Sequence, residues 1–276
     1  MFIGHQIQQE YFEKVLARGG KAHGYFFYGA SHVGKRTFAR ALAAYLQSAQ
    51  NIKLTNYFSE VATDTYFSPD LYEITGDLPI KELRQLRSVL QRSPYSAPLK
   101  VLIVDEAQKL RGEGANTLLK ILEEPAGDTL FFMISPAASS IIETIRSRLV
   151  QISFAEVSDV QIKAHFETSD IEDLHHYWSG RPGLVARLLA DRGLCEYFRR
   201  MEKTFNSFAA DSLRKRFLAV DEYLSGDIIF FLDNWISRER NLNNTELLKR
   251  LFAARKTLAT GNANPKYILH NLAINT

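Results

Sequence analysis

An α/β fold built on a parallel sheet, followed by an all-α region, is the architecture this sequence predicts. Continuous apolar bursts recur through the first 150 positions, separated by segments of helical periodicity. Strands buried on both faces read this way, and helices on both sides of a parallel sheet bury them. A Gly-x-x-x-x-Gly-Lys run, Gly29 to Lys35, follows the first burst and opens a helical segment, which is the arrangement of a phosphate-binding loop. After about Ala155 the bursts stop and the remainder reads as helices.

In chain order, Tyr25-Phe26-Phe27-Tyr28 is the first strand, ending at Gly29. Lys35 to about Gln47 is a helix with Phe38, Leu42 and Leu46 on one stripe. Leu71-Tyr72-Glu73-Ile74 is the second strand. Pro79 to Gln91 is a helix with Ile80, Leu83, Leu86 and Leu90 on its apolar face and Arg84, Arg87 and Arg92 off it. Val101-Leu102-Ile103-Val104 is a fully apolar strand. Ala115 to Leu122 is a helix stopped near Pro125, since proline cannot continue a helix. Thr129 to Ile134 and the shorter, alternating Leu149 to Phe154 complete the strands. Residues 157–192 read as short helices broken by Ser179-Gly180-Arg181-Pro182-Gly183, and 195–276 as longer ones, including Asp227–Ser237 and Thr245–Thr257. A last helix starts at Asn264-Pro265, because Asn caps helices well and Pro suits the first helical position.

The 276 residues suit two or three domains at about 150 residues each. With 46% hydrophobic and 24% charged residues, disorder and collagen-like structure are excluded. There are 34 Lys/Arg against 31 Asp/Glu, a net +3, and residues 195–276 hold 13 basic and 9 acidic of these, so the tail carries +4 and the rest −1. This is short of the basic bias that announces nucleic acid unaided. The single cysteine, Cys195, forms neither an internal disulfide nor a cysteine-based zinc cluster, which suits a reducing cytoplasm. No apolar run reaches the length of a membrane span, and Met1 to Gln6 lack the basic and apolar regions of a signal peptide.

The candidate site gathers around the loop. Gly29 and Gly34 let the backbone curl so that its amides and the following helix N-terminus face a phosphate, and Lys35 reaches the outer phosphates. The full motif requires Ser or Thr next, to hold Mg²⁺. Here that position is Arg36, and Thr37 follows one residue late, a turn of about 100° along a helix. The loop is thus a candidate site for ATP or ADP, while Arg36 argues against Mg²⁺ and efficient hydrolysis. Asp105 and Glu106 end an apolar strand about 70 residues after the loop. In a parallel sheet that edge lines the ligand crevice, so Asp105 is a candidate metal-water ligand and Glu106 a candidate to polarise an attacking water. Ser135, just past the fourth strand, is a candidate contact to the terminal phosphate or an ordinary strand cap. Arg148 before the fifth strand is a candidate arginine finger for a neighbouring subunit or a solvated surface arginine. The face Arg84, Arg87, Arg92 either tracks nucleic-acid phosphates or is simply solvated.

Together these residues resemble the AAA+ ATPases of the clamp-loader clade. The matching stretches are His23 to Gly29, Ser93-Pro94-Tyr95 before Lys100 to Ala107, Asn116 to Pro125, Ile145-Arg146-Ser147-Arg148 and Asn262-Ala263-Asn264-Pro265. The resemblance runs nearly the whole length, and the run Leu118 to Pro125 is its most specific part. It implies an AAA+ nucleotide-fold domain over 1–155, a helical lid over 156–193 and a helical collar over 194–276. It implies a hetero-pentamer with other clamp-loader subunits that loads a sliding clamp on primer–template DNA for the bacterial replicative polymerase. It also implies that Arg148 acts on the ATP of the next subunit. The chain departs from the clade in three places. The segment from about Gln50 to Ser68 lacks the clade's four-cysteine zinc module, so no zinc is expected. Arg36 replaces the hydroxyl residue. Gly183 stands where active relatives carry a lid arginine. The last two departures fit a subunit that lends a finger rather than a motor. An ATP-hydrolysing subunit and a structural partner with a relic loop are the alternatives.

Overall fold

The computed structural model describes residues 2–48, 52–60, 66–123, 128–208, 212–223, 228–241, 244–259 and 264–275. Glu124-Pro125 and Asn262-Ala263 of the matching stretches, and parts of the segment 50–68, lie outside them.

Five strands form one parallel sheet in the order β2-β3-β4-β1-β5. They are β1 (Gly24–Tyr28), β2 (Leu71–Thr75), β3 (Lys100–Asp105), β4 (Thr129–Ser135) and β5 (Val150–Ser153). Each lies within one or two residues of its expected place. Successive side chains of a strand point to opposite faces. Phe27 thus joins Phe12, Phe38, Phe132 and Phe154 in one core layer, and Phe26 joins Leu102, Val104, Phe131 and Met133 in the other. All ten are buried, each contributing about 1.5–3 kcal/mol.

The helices of this half are α1 (Gln6–Ala17), α2 (Lys35–Gln47), α3 (Leu54–Glu60), α4 (Ile80–Leu90), α5 (Gly112–Glu123), α6 (Glu143–Arg146) and α7 (Asp159–Lys163). Helices α1 and α3 were not expected, although Leu54, Tyr57 and Phe58 of α3 are buried at i, i+3, i+4 spacing. In α1 only Gln9 and Phe12 are buried. Helix α5 starts three residues ahead of the expected Ala115, because Gly112 and Gly114 mask its first turn.

The chain divides into two compact units. The sheet unit comprises Met1–His165 and Gly180–Leu184, and the helical unit comprises Phe166–Ser179 and Val185–Thr276. The segment expected as a lid is therefore shared between them. Helices α8 (His175–Trp178), α9 (Pro182–Ala190), α10 (Arg192–Phe208), α11 (Leu213–Tyr223), α12 (Ile228–Asn241), α13 (Thr245–Ala259) and α14 (Pro265–Asn275) follow. Helix α14 begins as expected: the Asn264 Oδ1 accepts from the Lys266 amide at 2.9 Å. Among the described residues no helix is long and apolar enough to cross a membrane.

Candidate functional site

The loop Gly29–Gly34 joins the carboxyl end of β1 to the amino end of α2, the place where a parallel sheet presents a ligand crevice. Gly29 is required there. Its φ is +145°, and a Cβ at this position would lie 2.0 Å from the Phe154 carbonyl oxygen. Gly34, at φ +105°, caps α2.

The carbonyls of the loop are taken up by donors from the rest of the sheet unit. Lys35 Nζ donates to the Gly29 and Ala30 oxygens, both at 2.6 Å. The Gly183 amide donates to the His32 oxygen at 2.9 Å, and His5 Nε2 donates to the Val33 oxygen at 2.8 Å. Carbonyl and amide of a peptide unit point in opposite directions, so while Lys35 holds the Gly29 and Ala30 oxygens the amides of those two peptide units point away from its ammonium. Lys35 is buried. Burial pulls its ammonium down to about 8, partly offset by the Asp105 carboxylate. Burial likewise holds the His5 imidazole below its ordinary value, and the Val33 hydrogen bond only partly restores it.

The structure thus brings Gly29, Gly34, Lys35 and Asp105 together. Asp105 Oδ1 also accepts from the Glu106 amide at 2.8 Å. Other candidates are engaged elsewhere. The Glu106 carboxylate, on a residue with φ +49°, accepts from Lys109 Nζ at 2.8 Å, and Lys109 in turn faces Asp77 at 3.6 Å. Ser135 is buried and hydrogen-bonds the Ser140 hydroxyl. Thr37 is half-buried one position beyond Arg36. Arg36 turns to β2, where its Nη2 and Nε donate to Glu73 Oε2 at 2.7 and 3.2 Å.

Arg148 lies apart from all of these. It precedes β5, which runs parallel to β1 with Tyr25 opposite Val150, so it stands at the edge of the sheet where strands begin, whereas the loop stands where they end. Its guanidinium donates to Glu123 Oε1 and to the Thr144 oxygen, both at 2.7 Å, and its side chain is 37% exposed.

Two features escaped the sequence. Glu73, within an ordinary strand, gives no signal as the partner of Arg36. Gly183 marks a departure in sequence, but its seat does not show there: a Cβ would meet the His32 oxygen at 2.9 Å. The Gly183 backbone is pressed against the loop itself.

A phosphate loop at the end of β1, the strand between β4 and β5 of a five-stranded parallel sheet, with an aspartate at the end of β3 beside the loop lysine, defines a P-loop protein of the AAA+ class. Residues 4–158, more than half of the chain, match the family model described as DNA polymerase III, delta subunit, and the chain belongs to that family. It is 30% identical over 152 residues to the DNA polymerase III subunit delta' of Pseudomonas aeruginosa, covering 52% of this chain and 46% of that protein. It is 28% identical over 170 residues to the subunit tau/gamma of Haemophilus influenzae, covering 58% of this chain and 24% of that protein. The match therefore spans about half or less of these curated relatives. Among solved structures, a DNA polymerase III gamma subunit-related protein from Thermotoga maritima superimposes with a TM-score of 0.52 at 15% identity, covering 97% of each chain, which is a likeness of fold.

Proposed function

We propose that this chain is a clamp-loader subunit of the delta-prime kind, which assembles in the cytoplasm with other AAA+ subunits to place a sliding clamp on primed DNA. Its part is to lend Arg148 to the nucleotide of a neighbour rather than to turn over ATP itself. In this scheme residues 1–155, 156–193 and 194–276 act as nucleotide-fold, lid and collar domains.

The observation that carries this is the place of Arg148. It stands at the edge of the sheet away from the chain's own Lys35, paired with Glu123, so a phosphate that draws it off that carboxylate belongs to another subunit. An arginine brought in this way stabilises the charge spread over a transferring phosphoryl group. Three further features favour a lender over a motor. The Glu106 carboxylate is held by Lys109, the hydroxyl position is Arg36, and the lid position Gly183 offers no guanidinium. A divalent metal would find Asp105 here but not the hydroxyl ligand of the full motif. The side chain next to Lys35 is a permanent cation with no lone pair to give, and Glu73 beside it is already paired with arginine. A nucleotide does fit. Gly29, Gly34, Lys35 and the loop amides would hold its phosphates, and its anhydride bonds are the chemistry it brings when bound. Primer–template DNA has a candidate track in the open groove of about 660 Å³ between α4 and α5, which is lined by Arg84, Arg87, Asn116 and Lys120 and by Glu113, the partner of Arg84.

Steady-state ATPase turnover of a loader reconstituted with clamp and primed DNA tests the proposal. With Arg148→Ala in this chain alone, turnover falls by about threefold or more, and Lys35→Ala lowers it less. A larger loss from Lys35→Ala identifies the chain as a motor and overturns the scheme.

A further inference from the structure

We infer that Arg36 takes the place of the divalent cation, so that the loop binds nucleotide phosphates as the metal-free anion. This rests on the nucleotide reading above and concerns the same site.

The position comes first. Arg36 follows Lys35 directly and lies in the first turn of α2, where a phosphate loop otherwise places the hydroxyl that ligates Mg²⁺. Charge comes second. Arg36, Glu73 and Asp105 line one cavity of about 230 Å³. Arg40 reaches the same Glu73, its Nη1 lying 2.8 Å from Oε1. Lys35, Arg36 and Arg40 against Glu73 and Asp105 make three positive charges less two negative ones, a formal +1 before any ligand arrives. A triphosphate brings about four negative charges to this set, so each fixed positive charge beside it favours the anion, and Arg36 supplies one where the full motif recruits a metal. That attraction is larger in a partly buried site than in water.

The third point is why Arg36 is the residue that can move. Glu73 has two arginines, and their exposures differ: the Arg36 side chain is 53% exposed and the Arg40 side chain 21%. Glu73 itself is only 19% exposed, and a carboxylate at that depth is costly to leave unpaired. When Arg36 leaves, Arg40 remains, so Glu73 keeps a partner. Glu73 is thus the resting place of a guanidinium whose planar fork suits two phosphate oxygens. It brings charge to the phosphates from the protein side, as a metal does from solution, and it needs no hydroxyl ligand.

Equilibrium titration of the full chain with ATP, in excess EDTA and in excess Mg²⁺, tests this. Wild type is expected to bind with affinities within about threefold of each other under the two conditions. Arg36→Thr is expected to lose about tenfold or more of its affinity in EDTA and to bind more tightly with Mg²⁺ than without. Arg36→Lys keeps the charge but not the fork. It is expected to fall between the two, which separates loss of the cation from loss of fold. A gain of more than about threefold on adding Mg²⁺ to wild type overturns the inference, as does an Arg36→Thr affinity in EDTA equal to that of wild type. Both outcomes leave nucleotide binding intact. Wild type that binds ATP under neither condition removes the nucleotide reading itself, and the inference with it.

Discussion

Lys35 shows how much a single side chain in this loop can be asked to do. It is legible in the sequence, because Gly-x-x-x-x-Gly-Lys after an apolar burst is a local pattern. Its electrostatic state is not, because that depends on what buries it. With its ammonium held at about 8 by burial, less the help of Asp105, the uncomplexed loop loses its charge on going from neutral to alkaline pH. A phosphate anion binds the protonated form, so ATP affinity falls as pH is raised from 7 to 9. Lys35→Ala binds more weakly throughout and gives a flatter profile. Titrations across that range check both statements, and a wild-type affinity independent of pH contradicts the burial argument. Gly183 belongs beside Lys35. The resemblance sets an arginine at this position in active relatives, and here the backbone contact with His32 leaves no room for a side chain.

Strands and loops repay the same attention. The segment Ser93-Pro94-Tyr95 marks the clade in sequence, and the structure gives its physical basis. Asp70, fully buried before β2, accepts from the amides of Tyr95, Ser96 and Ala97 at 2.7, 2.8 and 2.9 Å. Lys100 Nζ closes the same turn on the Val89 and Arg92 oxygens, both at 2.6 Å. Burial by itself raises the Asp70 pKa, but the three amides and Lys100 outweigh it and hold the carboxyl below its ordinary value. Asp70→Ala strands three amides and costs about 3 kcal/mol in urea denaturation. The sign with pH follows from a depressed folded pKa: the stabilisation is present above the unfolded carboxyl's range and fades as pH falls through the folded value. A loss under about 1 kcal/mol sinks the idea that this turn is held by its acid. Helices α1 and α3 went unseen for another reason. Helix α1 buries only Gln9 and Phe12, and α3, at 7 residues, is too short for its Leu54, Tyr57 and Phe58 to stand out as a repeat.

Across the molecule, the helical unit carries most of what composition could not reveal. Its aromatic residues Tyr177, Trp178, Phe198, Phe205, Phe231 and Trp235 are buried. Among them sits a polar cluster centred on Glu202 of α10. It accepts from Tyr177 Oη at 2.7 Å, His176 Nε2 at 3.1 Å and Arg238 Nε at 2.8 Å. Arg238 also pairs with Glu239 at 2.7 Å. Burial pushes the Glu202 carboxyl up, but these donors and the Arg238 charge bring it down to about 2. The unfolded chain therefore holds more protons than the folded one between about pH 4.3 and 2, so stability is lost as pH falls through that window. Glu202→Gln shallows that acid dependence. Glu202→Ala leaves Arg238 half-compensated and costs about 3 kcal/mol or more. Acid and urea unfolding of the two variants measure this, and unchanged profiles would dismiss the cluster as a stabilising centre.

Every strand, the loop, the start of α14 and the family likeness follow from signals that are local along the chain. Apolar bursts, glycine spacing and an Asn-Pro cap act within a few residues, so they can be read before anything folds. The partners of the site side chains are of another kind. Arg36 meets a glutamate 37 positions away, Gly183 rests on His32, and Arg148 stands across the sheet from the loop. These follow from the strand order β2-β3-β4-β1-β5, which brings together residues whose spacing along the chain carries no periodicity, and periodicity is all that a sequence can display of its neighbours.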